Sequence, residues 1–77
     1  MKIIKRTITM NGNPQVFYHE ALVLSNRKDT MNVYEEKLTS DREKALVFHD
    51  DEEAQKMATF LEDKTTVIIN KAEVEPK

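Results

Sequence analysis

The sequence predicts an α+β fold: an antiparallel sheet of four to five strands with one helix packed on one face, in the order β-β-β-(β)-α-β. Apolar residues recur with a helical period in one long stretch, residues 50–63. Runs rich in Ile, Val, Thr and Tyr, which favour strands, lie on both sides of that stretch. At 77 residues the chain can build only one core, so these elements are expected to share a single domain.

The first three strands are predicted to form an antiparallel meander. Residues 2–10, 15–24 and 31–38 are rich in β-branched, aromatic and other apolar side chains. The turn signal NGNP occupies residues 11–14, and a polar loop occupies residues 25–30. Both connections are short enough to join neighbouring antiparallel strands.

The pairing of the first two strands depends on the length of their turn. A two-residue turn would set Ile8 opposite Gln15. A four-residue loop would set Ile8 opposite Phe17 and Lys5 opposite Glu20, which matches apolar with apolar and base with acid. We therefore expect the four-residue loop.

Extending this pairing across the next connection sets Ala21 opposite Tyr34 and leaves apolar residues on both faces of the sheet. Since one helix covers one face only, the apolar residues of the other face are a candidate interface with a protein partner or a second copy of the chain. An alternative is that a bulge within residues 15–24 turns these side chains inward, or that they are singly exposed. The candidate interface comprises Ile3, Leu22, Leu24, Met31 and Val33.

The helix is predicted over Asp50–Asp63. Asp50 is a good N-cap, and Glu53 follows at the spacing of a capping box. Acidic residues fill the first turn, where the helix dipole favours them. The apolar stripe that packs on the sheet is expected to consist of Ala54, Met57, Ala58 and Leu61.

Short segments surround the helix. Residues 39–44 are expected to form a turn or one helical turn, and residues 45–48 a short edge strand. Residues 65–70, TTVIIN, are predicted as the last strand. The domain is therefore expected to span residues 1–71, with a loose tail over residues 72–77.

Composition excludes several classes of site. The chain has no cysteine, so disulfides, Cys-based zinc sites and a thiol nucleophile are absent, which fits a cytoplasmic protein. No apolar run approaches the roughly 20 residues that cross a bilayer, so no membrane partner is expected. Gly12 is the single glycine, which rules out Walker-type and dinucleotide-binding loops. We expect no enzymatic activity, no cofactor, no metal and no small-molecule substrate.

Charge is unevenly distributed along the chain. The net charge is −2, but residues 1–30 carry +3 and residues 31–63 carry −6. The acidic segment is a candidate docking face for a basic partner or a solvated surface. The acidic total does not favour a general nucleic-acid binder. A local nucleic-acid contact would use the bases of the first segment, Lys2, Lys5, Arg6, Arg27 and Lys28.

Arg6, His19 and Glu36 are predicted to form a row across the middle of the sheet. A carboxylate beside an imidazole can orient it as a general base or a pH switch. No nucleophile or glycine-rich loop accompanies the row, so we interpret it as a solvated cross-strand ladder at the edge of the core.

His49, Asp50 and Asp51 could be imagined as a metal site at the start of the helix. Successive side chains there point apart, so we assign these residues to the helix cap and its solvated first turn.

Residues 43–62, EKALVFHDDEEAQKMATFLE, link the short strand to the capped helix through Ala45, Phe48, Asp50, Glu53 and Ala54. This pattern, Ala–x–x–Phe–x–acid–x–x–Glu–Ala, resembles one found in small uncharacterised proteins of Gram-positive phages and prophages. The resemblance implies a compact α+β accessory protein with no established activity, and it carries no catalytic residues over.

We therefore expect a non-enzymatic interaction module, a phage or prophage accessory protein that binds a protein partner or itself as a homodimer. The alternative is a small nucleic-acid-binding protein that uses the basic N-terminal hairpin. A third hypothesis is an enzyme or metal protein built around His19 or His49.

Overall fold

The structure, a computed structural model, describes residues 1–26, 32–64 and 69–77. Within these ranges the strands are β1 (Lys2–Met10), β2 (Asn13–Asn26), β3 (Asn32–Thr39) and β4 (Ile69–Pro76), and the helix α1 is Asp51–Lys64. The four strands form one antiparallel sheet, in the order β3-β2-β1-β4, and α1 packs on it, as the α+β prediction requires. None of the helices in these ranges is long and apolar enough to cross a membrane.

A two-residue turn, Asn11 and Gly12, joins β1 to β2. Both residues have positive φ, 53° and 81°. This conformation matches the twist of a hairpin, and Asn and Gly are the residues that tolerate it best. The turn sets Ile8 opposite Gln15. The expected four-residue loop, with Ile8 opposite Phe17, is wrong because turn geometry outweighs the gain of one apolar pair.

A β-bulge interrupts the pairing of β2 with β3. His19 pairs with Leu38 and Ala21 pairs with Lys37, so Glu20 is an extra residue on β2. An extra residue changes which side chains face each side of the sheet beyond it. After the bulge, the even-numbered residues of β2 therefore face the helix.

The structure does not place the predicted interface residues together on one open face where it describes them. Leu22 turns to the helix side and packs against the core, and Ile3 is completely buried. The pairing of Ala21 with Tyr34, on which the interface depended, is wrong, because Ala21 pairs with Lys37. Met31 and the side chains of Leu24 and Val33 lie outside the described residues.

The core lies between α1 and the β1–β4 half of the sheet. Ala54 is completely buried and Met57 half-buried, so the predicted apolar stripe of the helix is confirmed. Asp50 begins the helix as expected: its Oδ1 accepts a hydrogen bond of 2.9 Å from the amide of Glu52. The central cluster of buried side chains consists of Ile4, Ala58, Leu61 and Ala72.

The segment between β3 and α1 crosses from one face of the sheet to the other. It begins with a 3₁₀ turn, Arg42–Lys44, whose Arg42 lies 3.6 Å from Glu75 on the face away from α1. It ends with Phe48, which packs against the core on the helix side. Since Glu75 is the cross-strand partner of Ile3, this segment lies over the end of the sheet where Ile3 is buried. The short strand predicted for residues 45–48 is a single bridge, between Phe48 and Lys2.

β4 occupies the region that was predicted as a loose tail. It pairs with β1 along its whole length, with Ala72 buried and Val74 packed against the core. The carboxylate of Glu62 accepts a hydrogen bond of 2.8 Å from the amide of Ala72. The prediction of a loose tail over residues 72–77 is therefore wrong. Small and apolar side chains alternate with charged ones here, which is the pattern of a half-buried strand.

Candidate functional site

The predicted row of ionisable side chains does come together, on the helix side of the sheet. Glu36 lies between the other two. Its Oε1 is 3.0 Å from both Nε and Nη2 of Arg6, and its Oε2 is 2.7 Å from Nδ1 of His19. Each carboxylate oxygen of Glu36 therefore contacts a different neighbour. We call Arg6, His19 and Glu36 the buried triad.

The buried triad is not the solvated ladder that the sequence suggested. The side chains of Arg6 and His19 are completely buried, and that of Glu36 is 9% exposed. A charge in such a position is expensive unless an opposite charge and hydrogen bonds accompany it. Glu36 supplies the opposite charge and a hydrogen-bond acceptor for Arg6, so the guanidinium group is compensated inside the fold.

The triad forms although both predicted registers are wrong. The observed β1–β2 pairing differs from the predicted one by two residues, and a shift of two leaves Arg6 and His19 on the same face. Glu36 is the direct cross-strand partner of Leu22. Its long side chain therefore reaches His19 and Arg6 diagonally, which such side chains can do across neighbouring strands.

The position of His19 limits what the triad can do chemically. A general base must come within hydrogen-bonding distance of the substrate proton that it removes. The ring is completely buried, and its Nε2 has no hydrogen-bond partner among the residues that the structure describes. In this conformation the imidazole cannot meet a substrate from solvent, so the triad organises the interior of the protein.

The other histidine hypothesis concerns the start of α1. His49, Asp50 and Asp51 are exposed, and Asp50 uses its carboxylate to cap the helix. Within the described ranges, no group of three or more His, Asp or Glu side chains is arranged to hold a metal ion.

The bases of the N-terminal hairpin do not form a shared surface where they are described. Arg6 is buried in the triad, Lys2 lies 3.9 Å from Asp51, and Lys5 lies across from Glu73. The remaining two predicted nucleic-acid contacts, Arg27 and Lys28, lie outside the described residues.

The face of the sheet away from α1 carries paired charges. Lys37 lies 3.0 Å from Glu20 on neighbouring strands, and Lys71 lies 3.5 Å from Glu73 along β4. Exposed pairs of this kind contribute little to stability, but they leave the surface neither strongly basic nor broadly apolar. In the described part of this face, each of these two lysines therefore lies beside an acid.

An apolar groove lies on the other face, beside α1. It has a volume of about 500 Å³, within the range of about 300–1,000 Å³ that is typical of ligand sites. Leu22 of β2 and Phe48 line one side, and Met57 and Phe60 line the flank of α1. Glu53 and Lys56 are the charged residues at its margin. The groove is lined by Leu22, Phe48, Glu53, Lys56, Met57 and Phe60.

The groove exists because α1 is narrower than the sheet. Four strands spaced about 4.8 Å apart span roughly 15–20 Å, whereas a helix is about 10 Å wide. In the described residues α1 packs against β4 and β1. Leu22, on the helix side of β2, is therefore only partly covered and borders the groove beside α1. The sequence held one signal for this surface: Phe60 widens the apolar stripe of the helix beyond the part that the sheet buries.

Comparisons of the chain with protein-family models, with curated proteins and with solved structures gave no match.

Proposed function

We propose that this protein is a non-enzymatic interaction module that binds a protein partner through the apolar groove. The observation that carries the proposal is the groove itself, which has a volume of about 500 Å³ and the apolar side chains Leu22, Phe48, Met57 and Phe60 in its lining. All four side chains are half-buried, and an apolar groove with a polar margin is characteristic of binding sites. The other face of the sheet carries the ion pairs Lys37–Glu20 and Lys71–Glu73.

The buried triad supports this proposal indirectly. It is the one cluster of acid, base and imidazole in the described chain, and its ring is closed to solvent. The groove, in contrast, has one acid and one base at its margin, and no serine, threonine, cysteine or histidine is among its lining residues. Its chemistry suits recognition of apolar side chains better than bond making.

The resemblance of residues 43–62 to phage and prophage proteins gives the proposal a narrower form: the module is an accessory protein of a phage or prophage. In that form its partner is a host or phage protein. In this chain Ala45, Phe48 and Ala54 of the resembling pattern are buried or half-buried, and Asp50 caps α1. The pattern therefore supports the fold, while the partner must be sought by experiment.

The test is an affinity capture from a bacterial lysate with three forms of the protein. Met57→Lys places a charge in the groove, whereas Thr59→Lys places the same charge on an exposed position of α1 outside it. We expect a protein that is retained by the unmodified chain and by Thr59→Lys but lost with Met57→Lys. Circular dichroism melts of both variants establish that they are folded. Equal retention of every captured protein by all three forms would contradict the proposal.

A further inference from the structure

We infer that the occupant of the groove is an amphipathic helix of a partner protein that carries basic residues beside its apolar stripe. This inference rests on the proposed function and adds the shape and the charge of the partner to it.

The shape follows from the half-covered sheet. The groove runs along the flank of α1 and is open at Leu22 of β2, so a second helix laid beside α1 would extend the helical layer there. The groove has the apolar surface that such a helix needs, with Leu22 on the sheet and Met57 and Phe60 on the flank of α1. Helices that bind in grooves insert side chains at i, i+3 or i+4, and i+7. Met57 suits this role because its flexible side chain adapts to the shape inserted.

The charge follows from the residues around the groove. Asp50, Asp51, Glu52 and Glu53 are all exposed at the start of α1, and Glu53 lines the groove. Lys2 lies 3.9 Å from Asp51 and Lys56 lies 3.5 Å from Glu52, so the four carboxylates keep a net charge of about −2 with these two bases. This still outweighs the partial positive charge of a helix N-terminus, which is about half a unit. Lys56 is the base at the margin.

Two other bases of the acidic segment lie away from these carboxylates. Lys37 and Arg42 lie with Glu20 and Glu75 on the opposite face of the sheet. The helix side therefore keeps most of the excess of acids in residues 31–63, which total −6. Lysine or arginine residues flanking the stripe of a partner helix would complement this field.

The same charges argue against a second copy of this chain as the occupant. α1 has five acidic and two basic residues. Two copies of α1 packed side by side would bring together two helices with a net charge of −3 each. Like charges placed against one another at an interface are unfavourable. The groove is therefore better matched to a different, basic helix.

The experiment uses two synthetic helical peptides of about 15 residues, or four turns. Both carry the same leucine stripe and one tryptophan, which the chain itself lacks. One has lysine on its polar positions and the other has glutamate. Binding is followed by tryptophan fluorescence and by the methyl spectrum of protein labelled at its four methionines. We expect the basic peptide to bind at least about tenfold more tightly than the acidic one, because several charges beside its leucine stripe differ in sign between the two peptides.

The methionine spectrum shows where the peptide binds. Met57 lines the groove, whereas Met10 is half-exposed at the far end of β1. We expect a saturable shift of the Met57 methyl group with little change at Met10. A dominant shift at Met10, or equal affinity for the two peptides, would overturn the inference.

Two matched variants separate a local effect from the overall charge. Lys56 and Lys71 each lie 3.5 Å from one glutamate, Glu52 and Glu73 respectively, on opposite faces of the sheet. Lys56→Glu should tighten binding of the basic peptide about threefold, as expected for one rim charge. Lys71→Glu makes the same change in net charge and should have little effect. An equal gain with both variants would mean that attraction is non-specific and would overturn the inference.

The remaining outcomes are distinct from failure of the proposed function. If Met57 shifts with protein concentration alone, the occupant is a second copy and the inference is wrong. If neither peptide binds while Met57→Lys still loses a partner in the lysate capture, the interaction function stands and the basic helix is the wrong occupant.

Discussion

Glu36 is the residue on which the buried charges depend. It lies 3.0 Å from Arg6 and 2.7 Å from His19, and the side chains of both are completely buried. A buried ion pair is not in itself strong evidence of stability, because desolvation offsets most of the attraction. Removing one partner is different, since the remaining charge is then buried without compensation.

Replacement of Glu36 by glutamine should therefore be costly. We expect the free energy of unfolding to fall by about 3 kcal/mol or more, measured by urea denaturation. Glu20→Gln is the matched control, because it breaks the pair with Lys37, whose side chain is exposed, and should cost less than about 1 kcal/mol. Adding Arg6→Met to Glu36→Gln should recover part of the loss, since no isolated charge remains. A loss with Glu36→Gln no larger than that of the control would contradict this account.

The ring of His19 should hold its proton on Nδ1. That nitrogen lies 2.7 Å from Glu36, whereas Nε2 is buried with no hydrogen-bond partner in the described part of the chain. A proton on Nε2 would be a buried donor without an acceptor there, which is unfavourable. Long-range ¹H–¹⁵N spectra distinguish the two nitrogens, and a proton on Nε2 alone would show that the hydrogen bond to Glu36 is wrong.

At the scale of elements, the β4 strand should be essential to folding. Ala72 is buried and Val74 packs against the core, and both belong to the segment first expected to be a tail. A chain ending at Lys71 should lose cooperative thermal unfolding and amide dispersion, because it exposes the core and the edge of β1. Deletion of Lys77 alone removes a residue beyond β4 and should leave the transition largely intact. A cooperative melt of the shorter chain would contradict the structural role of β4.

The sequence predicted elements better than the contacts between them. The helix, its Asp50 cap and its apolar stripe follow from local periodicity and were predictable for that reason. The register of β2 with β3 did not follow: a bulge within residues 15–24 was an alternative, but its position has no local signal in a strand of mixed side chains. The sequence predicted that the three triad residues share one face of the sheet. It did not predict their burial, which depends on tertiary packing that periodicity does not report. The groove was missed because it depends on where α1 lies across the sheet.

At the scale of the whole molecule, one helix and one sheet leave much surface uncovered. The accessible surface is 5680 Å², compared with about 4,900 Å² expected for a compact protein of this mass. The radius of gyration is 12.9 Å, compared with about 11.5 Å for a compact chain of this length. Both differences agree with a helical layer that covers part of the sheet.

We nevertheless expect the isolated protein to be monomeric. The groove is flanked by the acidic side of α1, and the opposite face of the sheet carries paired charges. At the edge of β4, the amide of Ala72 already donates a hydrogen bond to Glu62. Sedimentation at low salt, where repulsion between acidic helices is least screened, should give the mass of one chain over a wide range of concentration. A mass that rises with concentration and is restored to one chain by Met57→Lys would show self-association through the groove.

The antiparallel pairing of β1 with β4 also has a consequence for engineering. Pro76 lies opposite Lys2, and the amide of Lys77 donates a hydrogen bond of 3.1 Å to the carbonyl of Met1. A linker of a few residues could therefore join the two ends into a closed ring, which would lower the entropy of the unfolded chain. The ring could then be cut at the exposed Asn11–Gly12 turn to give a circular permutant with the groove unaltered.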